Sequence, residues 1–365
     1  MRFFLALLLA LQLQAAADTV VLNLEPTPEF PRNSEGSFIT LKSGRLLYYY
    51  TQFFGGASDH SAARIVSIQS DDQGRTWDAP RIILENKGGA NVMSVSLLRL
   101  QSGRIAFFYL LKNTWLDCRP HVRFSDDEGQ TWSDPVLMLE APGYFVMNND
   151  RVIQHSSGRL IAPLASHRSR NSNPDSSKSF DGRAIGLWVI SDDEGKTWKE
   201  APQWQALPVP STQSGLQEPG IVELADSSLL TFFRTDQGVQ YECRSRDRGQ
   251  TWTPVSPGPL RSPTSPASIE RVPGSPDLLA VWNDHSGDHP MVEKKRTPLV
   301  IGLSSDGGLT WSRKKLIESD PEGWYCYTAI HWVPDAVLLA YCAGDSKIGG
   351  LNRLRIRRVE LESLK

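Results

Sequence analysis

Eight residues written five times constrain this chain more than any other feature in it. "SDDQGRTW" from Ser70, "SDDEGQTW" from Ser125, "SDDEGKTW" from Ser191, "SRDRGQTW" from Ser245 and "SSDGGLTW" from Ser304 recur at intervals of 54 to 66 residues. That period is too long for a heptad or a helical hairpin and suits a small sheet repeated around an axis. Within the octapeptide the third-position Asp can accept backbone N–H bonds in a tight turn, and the fifth-position Gly can take a positive φ. The Trp can then pack over the turn while its indole N–H finds a partner. Calcium binding through the paired acids is the rival reading. Turn chemistry uses every invariant letter, so the octapeptide reads as a structural staple.

Upstream of the octapeptides the chain repeats a polar turn followed by an apolar, β-rich run. Six such starts occur: "KSGRLLYYY" from Lys42, "QSGRIAFFYL" from Gln101, "SSGRLIAPLA" from Ser156, "ADSSLLTFF" from Ala225, "GSPDLLAVW" from Gly274 and "PDAVLLAYC" from Pro334. Their period-two alternation is loose, as expected of strands covered on both faces, and long helical periodicity is missing. Six starts with five octapeptides predict an all-β, six-bladed β-propeller of four-stranded antiparallel sheets. The terminal "LNRLRIRRVELE" and the early "TVVLNLE" would share the last sheet, closing the ring and removing free edges.

The first residues, "MRFFLALLLALQLQAAADT", place a positive charge, an apolar run and small residues in the order of a secretory signal peptide, with cleavage expected before Asp18. The apolar run is too short to span a bilayer. Residues 18–365 are then expected to form a single repeat domain in a secreted or periplasmic protein. With 39 basic and 41 acidic residues the chain carries no electrostatic footprint for nucleic acid or an anionic membrane. Cys326 and Cys342 flank a hairpin turn at "VPDA" almost symmetrically, which leaves two readings open, a cross-strand disulfide or two small apolar residues. Cys118 and Cys243 show no metal-site spacing.

Five such octapeptides on a six-bladed pattern resemble the Asp boxes of the bacterial sialidase (neuraminidase) superfamily, and the resemblance spans residues 18–365. It implies three arginines around a substrate carboxylate, because a planar guanidinium binds carboxylate in bidentate fashion and stays charged at any working pH. The matching positions are Arg32 in "FPRNSEGSF", Arg234 in "EPGIVELADSSLLTFFRT" and Arg296 in "RTPLVIGLSSDGGLTW". It also implies a tyrosine nucleophile assisted by a glutamate, since a neutral phenol approaches an anionic anomeric centre with less repulsion than a carboxylate would. "YCYTAIHWVPDAVLLAY" places that tyrosine at Tyr327, and "QEPG" places its partner at Glu218. The loop "TQFFGGASDHSAAR" offers Asp59 as the acid/base, and an arginine that many members carry near this loop is Gln52 here.

Two stretches depart from the family pattern. "FPRNSEG" replaces "FRIP" and carries two more residues before the turn, a change that can displace Arg32 and let Glu35 reach the axis instead. "VMNNDRVIQHSSGR" places Asn148, Asn149, Asp150 and Arg151 at the start of an innermost strand, where Asn149, Asp150 and Arg151 either bind substrate or form an axial hydrogen-bond network. "GGANVMSVSL" brings Asn91 and Met93 towards the same axis, Met93 chiefly as packing. The polar stretch Ser166 to Arg183 reads as a long loop, either a rim over the pocket or solvated surface. His60, His167 and His285 show no metal-ligand spacing, and the implied chemistry needs no metal or cofactor.

The expected activity is exo-hydrolysis of a terminal sialic acid from a glycoconjugate, with retention. Hydrolysis or elimination on another acidic glycan, and non-catalytic glycan binding, are the alternatives.

Overall fold

The computed structural model describes residues 18–364, so the signal-peptide reading of residues 1–17 lies outside the described residues. Apart from two short 3-10 turns, Ser177–Ser179 and Leu361–Leu364, the described regular structure is all β. No described helix is long and apolar enough to cross a membrane.

Four sheets are four-stranded and antiparallel. The first runs through Arg32–Thr40, Leu46–Phe53, Ala63–Ser70 and Arg81–Leu84. Two more repeat the plan, one starting at Gln217–Glu223 and the other at Ser268–Arg271. The fourth joins Thr19–Leu24 to Leu354–Glu360, Ala336–Asp345 and Gly323–Val333, so the two ends of the described chain share one sheet.

The second and third repeats correct the expectation of separate four-stranded sheets, because their strands merge into one sheet of nine. The innermost strand of the third repeat is broken into Tyr144–Val146 and Ile153–Gln154 by the residues around Asn148 to Arg151. Its first piece leans on the preceding repeat through a parallel bridge from Tyr144 to Cys118, which joins the two. The stretch Ser166 to Arg183 is also more ordered than a loop. Strands Leu160–Ser169 and Phe180–Ser191 pair as a hairpin and leave only its tip irregular.

Apolar side chains seal each sheet against the next. Ile39, Leu47 and Tyr49 of the first sheet pack with Val95 and Phe107 of the second repeat. The series returns to its start where Phe38, Tyr48 and Val66 meet Ala329, Leu338 and Ile356 of the terminal sheet.

The repeated octapeptide closes as a staple in all five copies. In the second, the Ser125 hydroxyl donates to Asp127 and accepts from the Gly129 N–H, while Asp127 accepts from the Thr131 N–H at 2.9 Å and the Thr131 hydroxyl at 2.6 Å. Those Thr131 donors hold the Asp127 carboxyl down to about 2. Gly129 takes φ +83° to close the turn.

Candidate active site

The innermost strands share a local irregularity that aims side chains at the axis. Their pairing slips between Ser34 and Gly36, Met93 and Ser96, Gln217 and Gly220, and Cys326 and Ala329. At each slip a non-glycine residue adopts left-handed backbone: Glu35 (φ +49°), Ser94 (+60°), Glu218 (+45°) and Tyr327 (+59°). Such a conformation is unfavourable by about 1–3 kcal/mol per residue and persists only where its surroundings enforce it. All four residues line one cavity of about 310 Å³, with Asp59, Lys112, Asn148, Arg234 and Arg296 on its walls.

At the centre, the Tyr327 hydroxyl donates to Glu218 Oε1 at 2.9 Å, and Arg234 Nη1 donates to the same oxygen at 2.7 Å. Burial resists ionisation of Glu218, but Arg234 and Arg296 outweigh it and hold the carboxyl below its ordinary range. Burial, reinforced by the Glu218 carboxylate, pushes the Tyr327 phenol well above its usual value. The pair is therefore a neutral phenol hydrogen-bonded to an ionised carboxylate, which can accept the phenol's proton. The Arg296 guanidinium lies 5.3 Å from the Tyr327 ring centre and 5.4 Å from that of Trp324.

Several donors here are left over. Arg296 Nε and Nη1, Arg234 Nε and the Glu218 Oε2 acceptor are buried without a hydrogen-bond partner among the described residues. Unpaired guanidinium N–H groups in a cavity wall suit an oxyanion ligand.

Arg32 is 1% exposed and does not itself form the cavity wall. Its guanidinium lies 4.5 Å from the Phe53 ring centre and donates to Asp59 Oδ1 at 2.6 Å and to Glu35 Oε1 at 2.9 Å. Burial pushes the Glu35 carboxyl up against the pull of Arg32, and Ser94 donates to its other oxygen at 3.1 Å. The Asp59 side chain is 59% exposed at the rim. Gln52 accepts two bonds from Arg64, which reaches it from the adjacent strand.

The structure thus brings together Tyr327, Glu218, Asp59, Arg234, Arg296 and Glu35 at one cavity, with Arg32 behind Asp59 and Glu35. It does not bring Asn149, Asp150 and Arg151 there. Asn149 Nδ2 donates to the Gly36 and Tyr327 carbonyls, Asp150 accepts from the Ser37 hydroxyl and the Ile330 N–H, and Arg151 Nη2 donates to the Ala267 carbonyl. These three tie the innermost strands together around the axis, and the residue of that run on the cavity wall is Asn148. Of the two readings of Asn149, Asp150 and Arg151, the structure places them in the axial network, because their side chains are engaged by the backbone and hydroxyl groups of the neighbouring innermost strands. Burial moves Asp150 up to about 6 and Arg151 down to about 10.

Ser94 and Lys112 were not legible as cavity residues, since nothing in "NVMSVSL" marks the slip at Ser94. Cys326 and Cys342 stand opposite each other in register, and both thiols are free.

A family model described as a BNR repeat-like domain matches residues 38–339. A sialidase of Paraclostridium sordellii is 26% identical over 250 residues, 60% of this chain and 57% of that protein. An anhydrosialidase of Macrobdella decora is 28% identical over 248 residues, 62% of this chain and 29% of that protein. The matches therefore span less than two thirds of either relative. Among solved structures, a Hadza microbial sialidase superposes with a TM-score of 0.70 at 20% identity, covering 92% of this chain and 67% of that one, a likeness of fold.

Proposed function

The chain belongs to the BNR repeat-like domain family, and on that footing we propose that residues 18–365 form one exported six-bladed propeller that hydrolyses terminal sialic acid from glycoconjugates. The merged sheet counts as two blades, and the contact of the first sheet with the terminal one supports a closed ring.

The observation that carries this reading is the chain of contacts from Arg234 to Glu218 to Tyr327, set beside the unpaired N–H groups of Arg296. Arg234 and Arg296 hold the sugar's carboxylate. Arg32 joins them as that carboxylate competes with Asp59 and Glu35 for its guanidinium. Asp59, once protonated, gives its proton to the glycosidic oxygen as the bond to the anomeric carbon breaks. Tyr327 loses its proton to Glu218 and its oxygen bonds to that carbon, giving a glycosyl-tyrosine. Asp59, now a carboxylate, takes a proton from water as the water oxygen attacks the same carbon. The Tyr327 oxygen leaves and recovers its proton from Glu218, and two displacements give net retention.

Release of free sialic acid and 4-methylumbelliferone from the 4-methylumbelliferyl α-sialoside by purified residues 18–365 tests the reading. Turnover supports it. A folded protein inert on this substrate, yet active on another acidic glycan, would overturn the sialic acid assignment.

A further inference from the structure

Asp59 belongs by sequence to the first sheet, but the second repeat holds it in place. It lies in the connection 54–62, and its exposed carboxylate meets Arg32 and no other described side chain. Its main chain is better anchored. The Asp59 carbonyl accepts from Lys112 Nζ at 2.7 Å and from Asn91 Nδ2 at 2.9 Å, and Asn91 Nδ2 also donates to the Ser61 carbonyl at 2.8 Å. Asn91 and Lys112 face each other in register on adjacent strands of the second repeat, and both are buried. The next residue, His60, stacks on Trp115 with ring centres 3.3 Å apart, and its Nε2 lies 3.4 Å from the Tyr144 hydroxyl.

Lys112 is the telling member. Among the described residues no carboxylate pairs with it. Apart from the Asp59 carbonyl its ammonium meets the Met93 thioether at 3.3 Å, a weak acceptor, and the Tyr144 ring at 5.5 Å. A methionine would fill the same space without burying a charge, so packing alone does not account for a lysine there.

We propose that Lys112 and Asn91 are positioning residues, a cross-strand clamp from the second repeat that fixes Asp59 at the cavity rim for proton transfer to the leaving oxygen. The proposal rests on the reading of Asp59 as acid/base. Proton transfer demands hydrogen-bond reach, and a displacement of about 1 Å is enough to lose about 100-fold in rate. The charged and titratable groups facing Asp59 are Arg32, Glu35, His60, Lys112 and Tyr144. Partial desolvation at the rim pushes its carboxyl up, but Arg32 and then Lys112 outweigh it and hold the carboxyl below its ordinary range, so the same ammonium that grips the backbone also acts on the proton.

The test compares leaving groups, because an alkoxide must be protonated as it departs and an activated phenol need not be. Asp59→Ala, Lys112→Met and Asn91→Ala are assayed on sialyl-lactose and on the 4-methylumbelliferyl α-sialoside. The clamp predicts that Lys112→Met and Asn91→Ala copy Asp59→Ala in kind, losing about 10-fold or more in kcat/KM on sialyl-lactose and less than about 3-fold on the aryl substrate, since kcat/KM reports the departure of the leaving group and not the later attack of water that Asp59 also serves. Equal losses of kcat/KM on both substrates, or no change, beside a selective loss of kcat/KM in Asp59→Ala, would overturn the clamp and leave the acid/base reading standing. If Asp59→Ala itself loses equally on both, the acid/base reading fails and the clamp with it. Should Lys112→Met not fold, Asn91→Ala decides by the same criteria.

Discussion

Two kinds of turn recur around this molecule, and they differ in how fully they satisfy themselves. In the Asp boxes the Ser, Asp and Thr side chains bond to one another and to the turn's own backbone in all five copies; the expected partner of the box tryptophan N–H is present in two, Trp77 and Trp198, and absent for Trp132, Trp252 and Trp311 among the described residues. Along the innermost strands the slips at Glu35, Ser94, Glu218 and Tyr327 also recur in form. Here the copies differ, two carrying glutamate, one serine and one tyrosine, and buried guanidinium and carboxylate atoms stay unpaired. A repeat whose hydroxyl and carboxylate groups satisfy one another serves stability. A repeat that leaves donors open, with its residue types diversified, is equipped to bind something else.

Substitutions can break that comparison from either side. The largest effect is expected at Tyr327. Tyr327→Phe should lower kcat by about 10³-fold or more on the aryl sialoside while the melting temperature stays within about 3 °C, since the ring remains and one hydroxyl leaves. Next, Arg296→Met should cost about 10²–10³-fold in kcat/KM while the melting temperature stays within about 3 °C of the wild type, the relief of its unpaired Nε and Nη1 offsetting its lost attraction for Glu218. A clear fall in stability would show that Arg296 serves the fold.

The boxes should behave in the opposite way. Asp193→Ala removes the acceptor of the Thr197 N–H and hydroxyl, and should destabilise by about 1–3 kcal/mol in denaturant unfolding with unchanged kcat/KM for the folded fraction.

The smallest effect is in pH dependence, where a box acid and an axial acid have opposite signs. Asp72 is lowered to about 2, the Thr76 bonds outweighing burial, so its contribution is present above the ordinary carboxylate pKa and lost as pH falls through about 2. Asp150 is raised to about 6 by burial, so its contribution is present below the ordinary carboxylate pKa and lost as pH rises through about 6. The melting temperature of Asp150→Asn should therefore vary less between pH 4 and 6 than that of the wild type. Parallel curves would remove Asp150 from the account.

How much of this was legible in the sequence follows the same division. The boxes and the turn-plus-strand starts are local, so their letters reveal them. Glu218, Arg234 and Tyr327 were placed through their resemblance to family motifs, and the structure brings them together. What escaped depends on phase and on neighbours. A slip moves every later side chain in a strand to the other face, and in the third repeat the innermost strand breaks outright, leaving Asn148 on the cavity wall and Asn149, Asp150 and Arg151 in the axial network. Asn91 reads as a residue approaching the axis, yet its bonds go to the loop carrying Asp59, a contact between repeats that no stretch of sequence displays. The union of the second and third sheets rests on a bridge at Tyr144, equally invisible in a linear pattern.

The most direct test of the central claim is mass spectrometry of the protein quenched during incubation with the aryl sialoside, with the adduct mapped to a peptide. The account predicts one sialyl residue on the peptide containing Tyr327, absent from Tyr327→Phe. A covalent adduct on any other residue, or undiminished turnover by Tyr327→Phe, would contradict it.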